Sequence, residues 1–171
     1  SGDLASSEVA LIHAMGVIRS DYHIEPDLIV FLQATSPLRK QDDISNCINK
    51  LIQDGSDSVF SGCLLEDFLI WENQNNNWQS FNYDYLNRGL RQQRKPQYVE
   101  NGSIYVFKPS ILTQYNNRLG GKISFFEMEF WQTWEIDNPE DIEIIEVRSV
   151  QQALDAALGV PKDLQKSRKV A

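Results

Sequence analysis

The run Ile29-Val30-Phe31-Leu32 is apolar at every position, with Pro26 and Asp27 before it and Gln33, Thr35 and Ser36 after it. An apolar run of that length between turn-forming residues predicts a buried strand whose C-terminal end turns polar. Asp42 and Asp43 then lead into Ile44, Cys47, Ile48, Leu51 and Ile52, closed by Gly55. That spacing predicts an amphipathic helix capped by a left-handed glycine. Residues 58–62 predict a second strand, and a strand-helix-strand unit of this kind is parallel and right-handed. In α/β sheets ligands sit at the C-terminal ends of strands, which draws attention to Gln33.

The same pattern places the remaining elements. Ser6 or Ser7 caps a first helix with Glu8 in its first turn and Leu11, Ile12, Met15 and Ile18 inward. Residues 68–71 and 78–81 flank a polar stretch over 72–77, a hairpin with an asparagine-rich turn that projects from the sheet. Its aromatic residues Trp71, Trp78, Tyr83 and Tyr85 call for packing on the core or against a second subunit. Asn101-Gly102 reads as a turn before a strand over 103–108, followed by a short helix at 109–115 and a strand at 123–128. Asn138, Pro139, Glu140 and Asp141 open a last helix with Ile142, Ile145, Val150, Leu154 and Leu158 inward, ended by Gly159 and Pro161. The expectation is one α/β domain over 1–158, with 64–100 as arm and substrate loop and 159–171 as a basic tail.

Composition narrows the partners. A chain of 171 residues that is 42% hydrophobic can bury a core, and a net charge of -8 argues against a broad nucleic-acid or anionic-membrane surface. Cys47 and Cys63 form no CxxC pair and sit among apolar residues, which suits reduced thiols and a cytoplasmic setting. No apolar run reaches the length of a membrane span, and the chain does not open with a signal-peptide pattern.

Three clusters carry chemistry. Arg88, Arg91, Arg94 and Lys95 form either a solvated basic loop or an anion clamp, since guanidinium forks match carboxylates and phosphates. Glu135 and Asp137 share one face of an extended backbone, a geometry for holding Mg²⁺, although Asp137 also fits a plain helix entry. Gly102 supplies either a positive φ or a close backbone approach, and Tyr105 on a strand is ordinarily core.

The residues Leu32-Gln33-Ala34-Thr35-Ser36-Pro37-Leu38-Arg39 closely resemble a signature of the acylneuraminate (CMP-sialic acid synthetase) cytidylyltransferases. Arg91-Gln92-Gln93, the stretch from Tyr98 to Tyr105 and the stretch from Glu135 to Asp141 resemble that family's further signatures, in order. The resemblance implies a Rossmann-like nucleotidyltransferase, a three-layer α/β/α sandwich with a projecting β arm that forms a homodimer. It implies transfer of CMP from CTP to the anomeric hydroxyl of an acidic nine-carbon 2-keto sugar, with release of pyrophosphate. By the same resemblance Asp137 and Glu135 hold Mg²⁺, Gln33 binds the sugar, and Arg91 pairs with the sugar carboxylate. Asn101, Gly102 and Tyr105 shape the acyl pocket, and Ser7 touches the nucleotide. The family has Asp-x-Asp where this chain has Glu135 and Asp137. Family members open with a strand and a Gly-, Ser- and Lys/Arg-rich loop, and nothing here resembles that loop, so the expected domain is partial with its first strand missing. The alternatives are a non-catalytic fragment or pseudoenzyme that keeps the arm and sugar binding, and a cytidylyltransferase for pseudaminic acid, legionaminic acid or KDO.

Overall fold

The computed structural model describes residues 6–65, 68–90, 92 and 94–146. In chain order the elements are α1 Ser7–Tyr22, β1 Ile29–Leu32, α2 Asp43–Asp54, β2 Ser58–Leu64, β3 Trp71–Gln74, β4 Asn77–Ser80, β5 Tyr98–Phe107, α3 Pro109–Tyr115 and β6 Ile123–Glu127. A short 3-10 helix follows at Phe130–Thr133, and residues 140–146 are helical.

The main sheet has the order β1-β5-β2-β6. β5 runs antiparallel to both β1 and β2, while β2 and β6 are parallel. β1 and β2 therefore point the same way, as the strand-helix-strand reading expects, but they do not pair: β5 lies between them. A local pattern carries no information about a strand inserted from forty residues further on.

Alternation along β5 divides the core. Ile104 and Val106 pack with Val59, Cys47, Leu51 and Met128 on the α2 face, joined by Ile44 and Ile48. Tyr105 and Phe107 pack with Met15 of α1 and Leu112 of α3 on the other, joined by Leu11, Ile29 and Phe31. Helices thus cover both faces, giving the three-layer α/β/α arrangement. Burying each large apolar side chain stabilises the fold by about 1.5–3 kcal/mol.

Three expected core residues point outward: Ile12 is 42%, Ile52 62% and Ile142 46% exposed. At 100° per residue, Ile12 and Ile52 each lie roughly a quarter-turn from the centre of the helix's buried stripe, at its margin, and on the last helix the inward position is taken by Ile145. Gly55 closes α2 as expected, with φ of 57° and its N–H donating to Ile52 O at 3.1 Å.

The expected hairpin is present, with shifted bounds. β3 and β4 form their own two-stranded sheet, and most of the polar stretch belongs to the strands. Only Asn75 and Asn76 make the turn, with φ of 52° and 64°, the left-handed pair that a two-residue type I′ turn requires. Asn82 anchors its base: Oδ1 accepts from Ile70 N–H at 2.8 Å, and Nδ2 donates to Phe68 O at 2.9 Å and to Gln97 Oε1 at 2.6 Å. Tyr83 and Tyr85 pack their rings against Trp71 at 5.8 and 5.5 Å between centroids.

Among the described residues no helix is long and apolar enough to cross a membrane. Arg91, the later part of the expected C-terminal helix with Val150, Leu154 and Leu158, and the basic tail lie outside the described residues.

Candidate functional site

The site begins with an irregularity in β5. Phe60 pairs with Tyr105 and Gly62 with Glu100, so two steps along β2 face five along β5. The surplus residues bulge. Asn101-Gly102 is thus not a turn before the strand but a buried bulge inside it, and Gly102 takes φ of 64°, a left-handed conformation that suits glycine.

A bulge leaves backbone groups without ladder partners, and here side chains take them up. Ser61 Oγ accepts from Ile104 N–H at 2.8 Å and donates to Asn101 Oδ1 at 2.7 Å. Asn101 Oδ1 also accepts from Ser103 N–H at 3.2 Å, and its amide nitrogen donates to Gln132 O at 3.4 Å. Asn101 is 2% exposed, so it braces the bulge from beneath and does not line an open surface.

Two other segments close on the bulge. Regular β1–β5 pairing ends at Leu32 and Ile104, after which the chain turns, with Ser36 N–H donating to Gln33 O at 3.3 Å. The stretch after the 3-10 helix is tied to this turn by Ile136 N–H donating to Thr35 O at 2.7 Å and by the Ser36 hydroxyl donating to Glu135 Oε1 at 3.1 Å. A methyl group on Gly102 would lie 2.6 Å from Glu135 Oε1, 2.7 Å from Gln33 Oε1 and 3.0 Å from Ser36 Oγ. Gln33, Gly102 and Glu135 therefore meet at one point.

Beside them an open groove of 410 Å³ is lined by Val99, Glu100, Thr133, Trp134, Glu135 and Asp137, with Asp141 at the entry to the last helix. Among the described residues its charged lining is entirely acidic. Asp141 Oδ2 accepts from Asp137 N–H at 2.9 Å and Asn138 N–H at 2.8 Å, so the acidic residue reaches back to cap the helix start that Asn138 was expected to cap. Asp137 is exposed, and its carboxylate takes no hydrogen bond among the described residues. Among those residues no group of three or more His, Cys, Asp or Glu forms a metal cage.

Tyr105 reaches the groove only through Glu100. Its hydroxyl donates to Glu100 Oε1, and burial, reinforced by that bond, raises the phenol above its ordinary value. Arg118 lies over the ring at 4.4 Å and stands 3.6 Å from Glu8, binding the first turn of α1 to this face. Ser7 is the first residue of that turn.

Of the residues singled out from the sequence, Gln33, Gly102 and Glu135 converge, and Asp137 lines the groove with Glu135. Asn101 supports them from the interior, while Ser7 and Tyr105 belong to the α1 face. Glu100 and Arg39 emerge only from the structure, and Ser36, already part of the polar cluster after β1, gains its partner Glu135 there. Ser36 and Arg39 lie in the LQATSPLR stretch and Glu100 beside Asn101, but no spacing rule marks them.

No family model matches the chain. Over 132 residues it is 30% identical to N-acylneuraminate cytidylyltransferase A of Danio rerio, covering 75% of this chain and 30% of that protein. Similarity to N-acylneuraminate cytidylyltransferase of Oncorhynchus mykiss runs at 29% over 127 residues, 72% of this chain and 29% of that one. The chain is homologous to the N-acylneuraminate cytidylyltransferases. It spans about 30% of the length of these curated relatives. It is also 25% identical over 158 residues to Post-translational flagellin modification protein B of Campylobacter coli, covering 84% of this chain and 63% of that protein. The fold matches the crystal structure of 4-diphosphocytidyl-2C-methyl-D-erythritol synthase from Anaerococcus prevotii with a TM-score of 0.55 at 10% identity, over 86% of this chain and 67% of that one. The expected three-layer α/β/α fold is thus the observed one.

Proposed function

We propose that the whole protein is a cytidylyltransferase that moves CMP from CTP onto the anomeric hydroxyl of an acidic nine-carbon 2-keto sugar, releasing pyrophosphate. The convergence of Gln33, Gly102 and Glu135 at the end of β1, with Glu135 and Asp137 both lining the adjoining groove, supports this reading. The attacking hydroxyl must be oriented and the charge growing on the phosphates offset. Gln33 orients the sugar by a hydrogen bond from the end of β1. Gly102, lacking a side chain, lets the sugar approach the backbone of the bulge. Tyr105, with Asn101 bracing the strand, shapes the acyl side, and Ser7 contacts the nucleotide at the start of α1. An acidic groove does not hold a carboxylate by itself, so Arg91 supplies the counter-charge to the sugar acid.

The donor set suits Mg²⁺, which prefers carboxylate oxygens and takes one or two of them together with substrate phosphates instead of an all-protein cage. Asp137, whose carboxylate takes no hydrogen bond among the described residues, and Glu135 would hold it. When bound, the ion offsets charge on the triphosphate. Among the described residues β1 forms one edge of the main sheet, where a further strand could pair. The arm, with Trp78 62%, Phe81 65% and Leu86 81% exposed, would be covered in a homodimer.

Similarity to the flagellin modification protein over 63% of its length favours, as a second reading, the same reaction on a different keto-acid sugar such as pseudaminic or legionaminic acid. Pyrophosphate release by the full-length protein with CTP, Mg²⁺ and a panel of sialic, pseudaminic, legionaminic and KDO sugars separates the two. Release with a sialic acid supports the first reading and release with another sugar alone supports the second. Silence with every sugar rejects both in favour of a non-catalytic protein.

A further inference from the structure

We infer that Arg39 is a positioning residue that holds the end of β1 against the bulge of β5 and thereby sets Gln33 beside Glu135. This rests on the proposed transferase reading for its kinetic consequence, but not for its structural one. Backbone pairing between β1 and β5 stops at Leu32 and Ile104. At the next step out, Gln33 and Ser103 have carbonyls that no strand ladder bridges. Arg39 Nη2 donates to both, to Gln33 O at 2.9 Å and to Ser103 O at 3.1 Å. One guanidinium nitrogen thus continues the sheet for one step by a side-chain cross-link.

The position of that link matters. Gln33 and Gly102 flank it directly, and the Gln33 side chain lies within van der Waals reach of Gly102. If the two carbonyls separate, the point where Gln33, Gly102 and Glu135 meet opens with them. The guanidinium is half-buried, and burial pulls it below its usual value while the charge of Asp43 opposes that. A side chain placed at that desolvation cost, with two backbone oxygens on one nitrogen, fixes a distance and not merely a charge.

The test uses the full-length protein with Arg39→Met, Arg39→Lys, Gln33→Ala and the Arg39→Met/Gln33→Ala double variant. Amide hydrogen exchange reads the link without any turnover. Arg39→Met should speed exchange about tenfold or more over residues 33–36 and 101–104 while leaving α2 and β6 unchanged, as expected for losing charged hydrogen bonds at one locus. Arg39→Lys should recover part of the protection. Unchanged exchange at those residues, or an increase spread evenly over the whole sheet, overturns the link.

Kinetics then read the consequence. Arg39→Met should lower kcat/KM for the sugar about tenfold with KM for CTP unmoved, and the double variant should be no worse than Gln33→Ala alone. Multiplying effects would overturn action through Gln33. A wild type silent toward every sugar would instead reject the transferase reading, with the exchange data still deciding the link.

Discussion

Ser36 donates its hydroxyl to Glu135 Oε1 at 3.1 Å across 99 residues of sequence, joining the turn after β1 to the acidic stretch that borders the groove. Ser36 is 1% exposed, while Glu135 lines the open groove, so the bond ties a buried hydroxyl to a carboxylate at the groove's edge. It fixes where the longer side chain of Glu135 ends.

Ser36→Ala should therefore lower turnover more than stability. Loss of a hydrogen bond to a charged acceptor corresponds to about 1.5–3 kcal/mol, on the order of tenfold or more in rate if Glu135 must be placed for the reaction. Steady-state kinetics with thermal unfolding alongside measure both. Turnover equal to wild type would remove Glu135 placement from the account.

Gly102→Ala should damage fold and site together. The left-handed backbone costs an L-residue about 1–2 kcal/mol, and the new methyl meets Glu135 Oε1 and Gln33 Oε1 at 2.6 and 2.7 Å. Calorimetry should show a midpoint lowered by roughly 2–8 °C, and turnover should be lost. A variant of unchanged midpoint and rate would mean that the bulge relaxes freely and shapes nothing.

The main sheet, three of its helices and the hairpin were legible in the sequence because each rests on local periodicity. The strand at Ile29 to Leu32, the stripe Ile44-Cys47-Ile48-Leu51 and the stop at Gly55 lie where the pattern puts them, but the strand is not buried throughout: Val30 and Leu32 are exposed on one face, because an apolar run does not reveal what covers each face. Ile12 and Ile52 failed because a hydrophobic residue at the margin of a stripe looks the same as one at its centre. The insertion of β5 between β1 and β2 was invisible, since strand order depends on partners distant in sequence. The bulge was half-visible: Asn101-Gly102 signalled an unusual backbone, but alternation cannot tell how many residues of one strand oppose one of another. Ser36 was marked as part of the polar cluster after β1 but its partner was not, and Arg39 was given no role, because the partners are a carboxylate 99 residues away and a pair of backbone oxygens.

At the opposite end of β2, Asp57 accepts from Lys108 Nζ at 2.7 Å and from Lys122 N–H at 2.9 Å. The Lys108 bond first, then the Lys122 bond, holds its carboxyl below the ordinary aspartate value of 3.8. A lowered folded-state value means stability that is complete above the ordinary value and lost as pH falls through the lowered one. Asp57→Asn should flatten this acid limb and leave neutral-pH cooperativity intact. Urea midpoints measured across acidic pH check it, and identical acid limbs would show that Asp57 titrates alike folded and unfolded.

Cys47 is fully buried, and burial, with the charge of Asp43 adding, pushes its thiol up to about 12. At pH 8 the thiolate would be about one part in ten thousand. A thiol-specific reagent should label Cys47 only as fast as the protein unfolds, with denaturant accelerating it. Rapid labelling under native conditions would contradict the packing of α2 on the sheet.

The most direct measurement of the central claim is mass spectrometry of the products formed by the full-length protein from CTP, Mg²⁺ and acidic keto-sugars, wild type beside Asp137→Ala. The account predicts one new species with the combined mass of the sugar acid and a CMP group less water, abolished by Asp137→Ala in a protein that still unfolds cooperatively. CTP left intact with every sugar, or the same product in equal amount from Asp137→Ala, would contradict it.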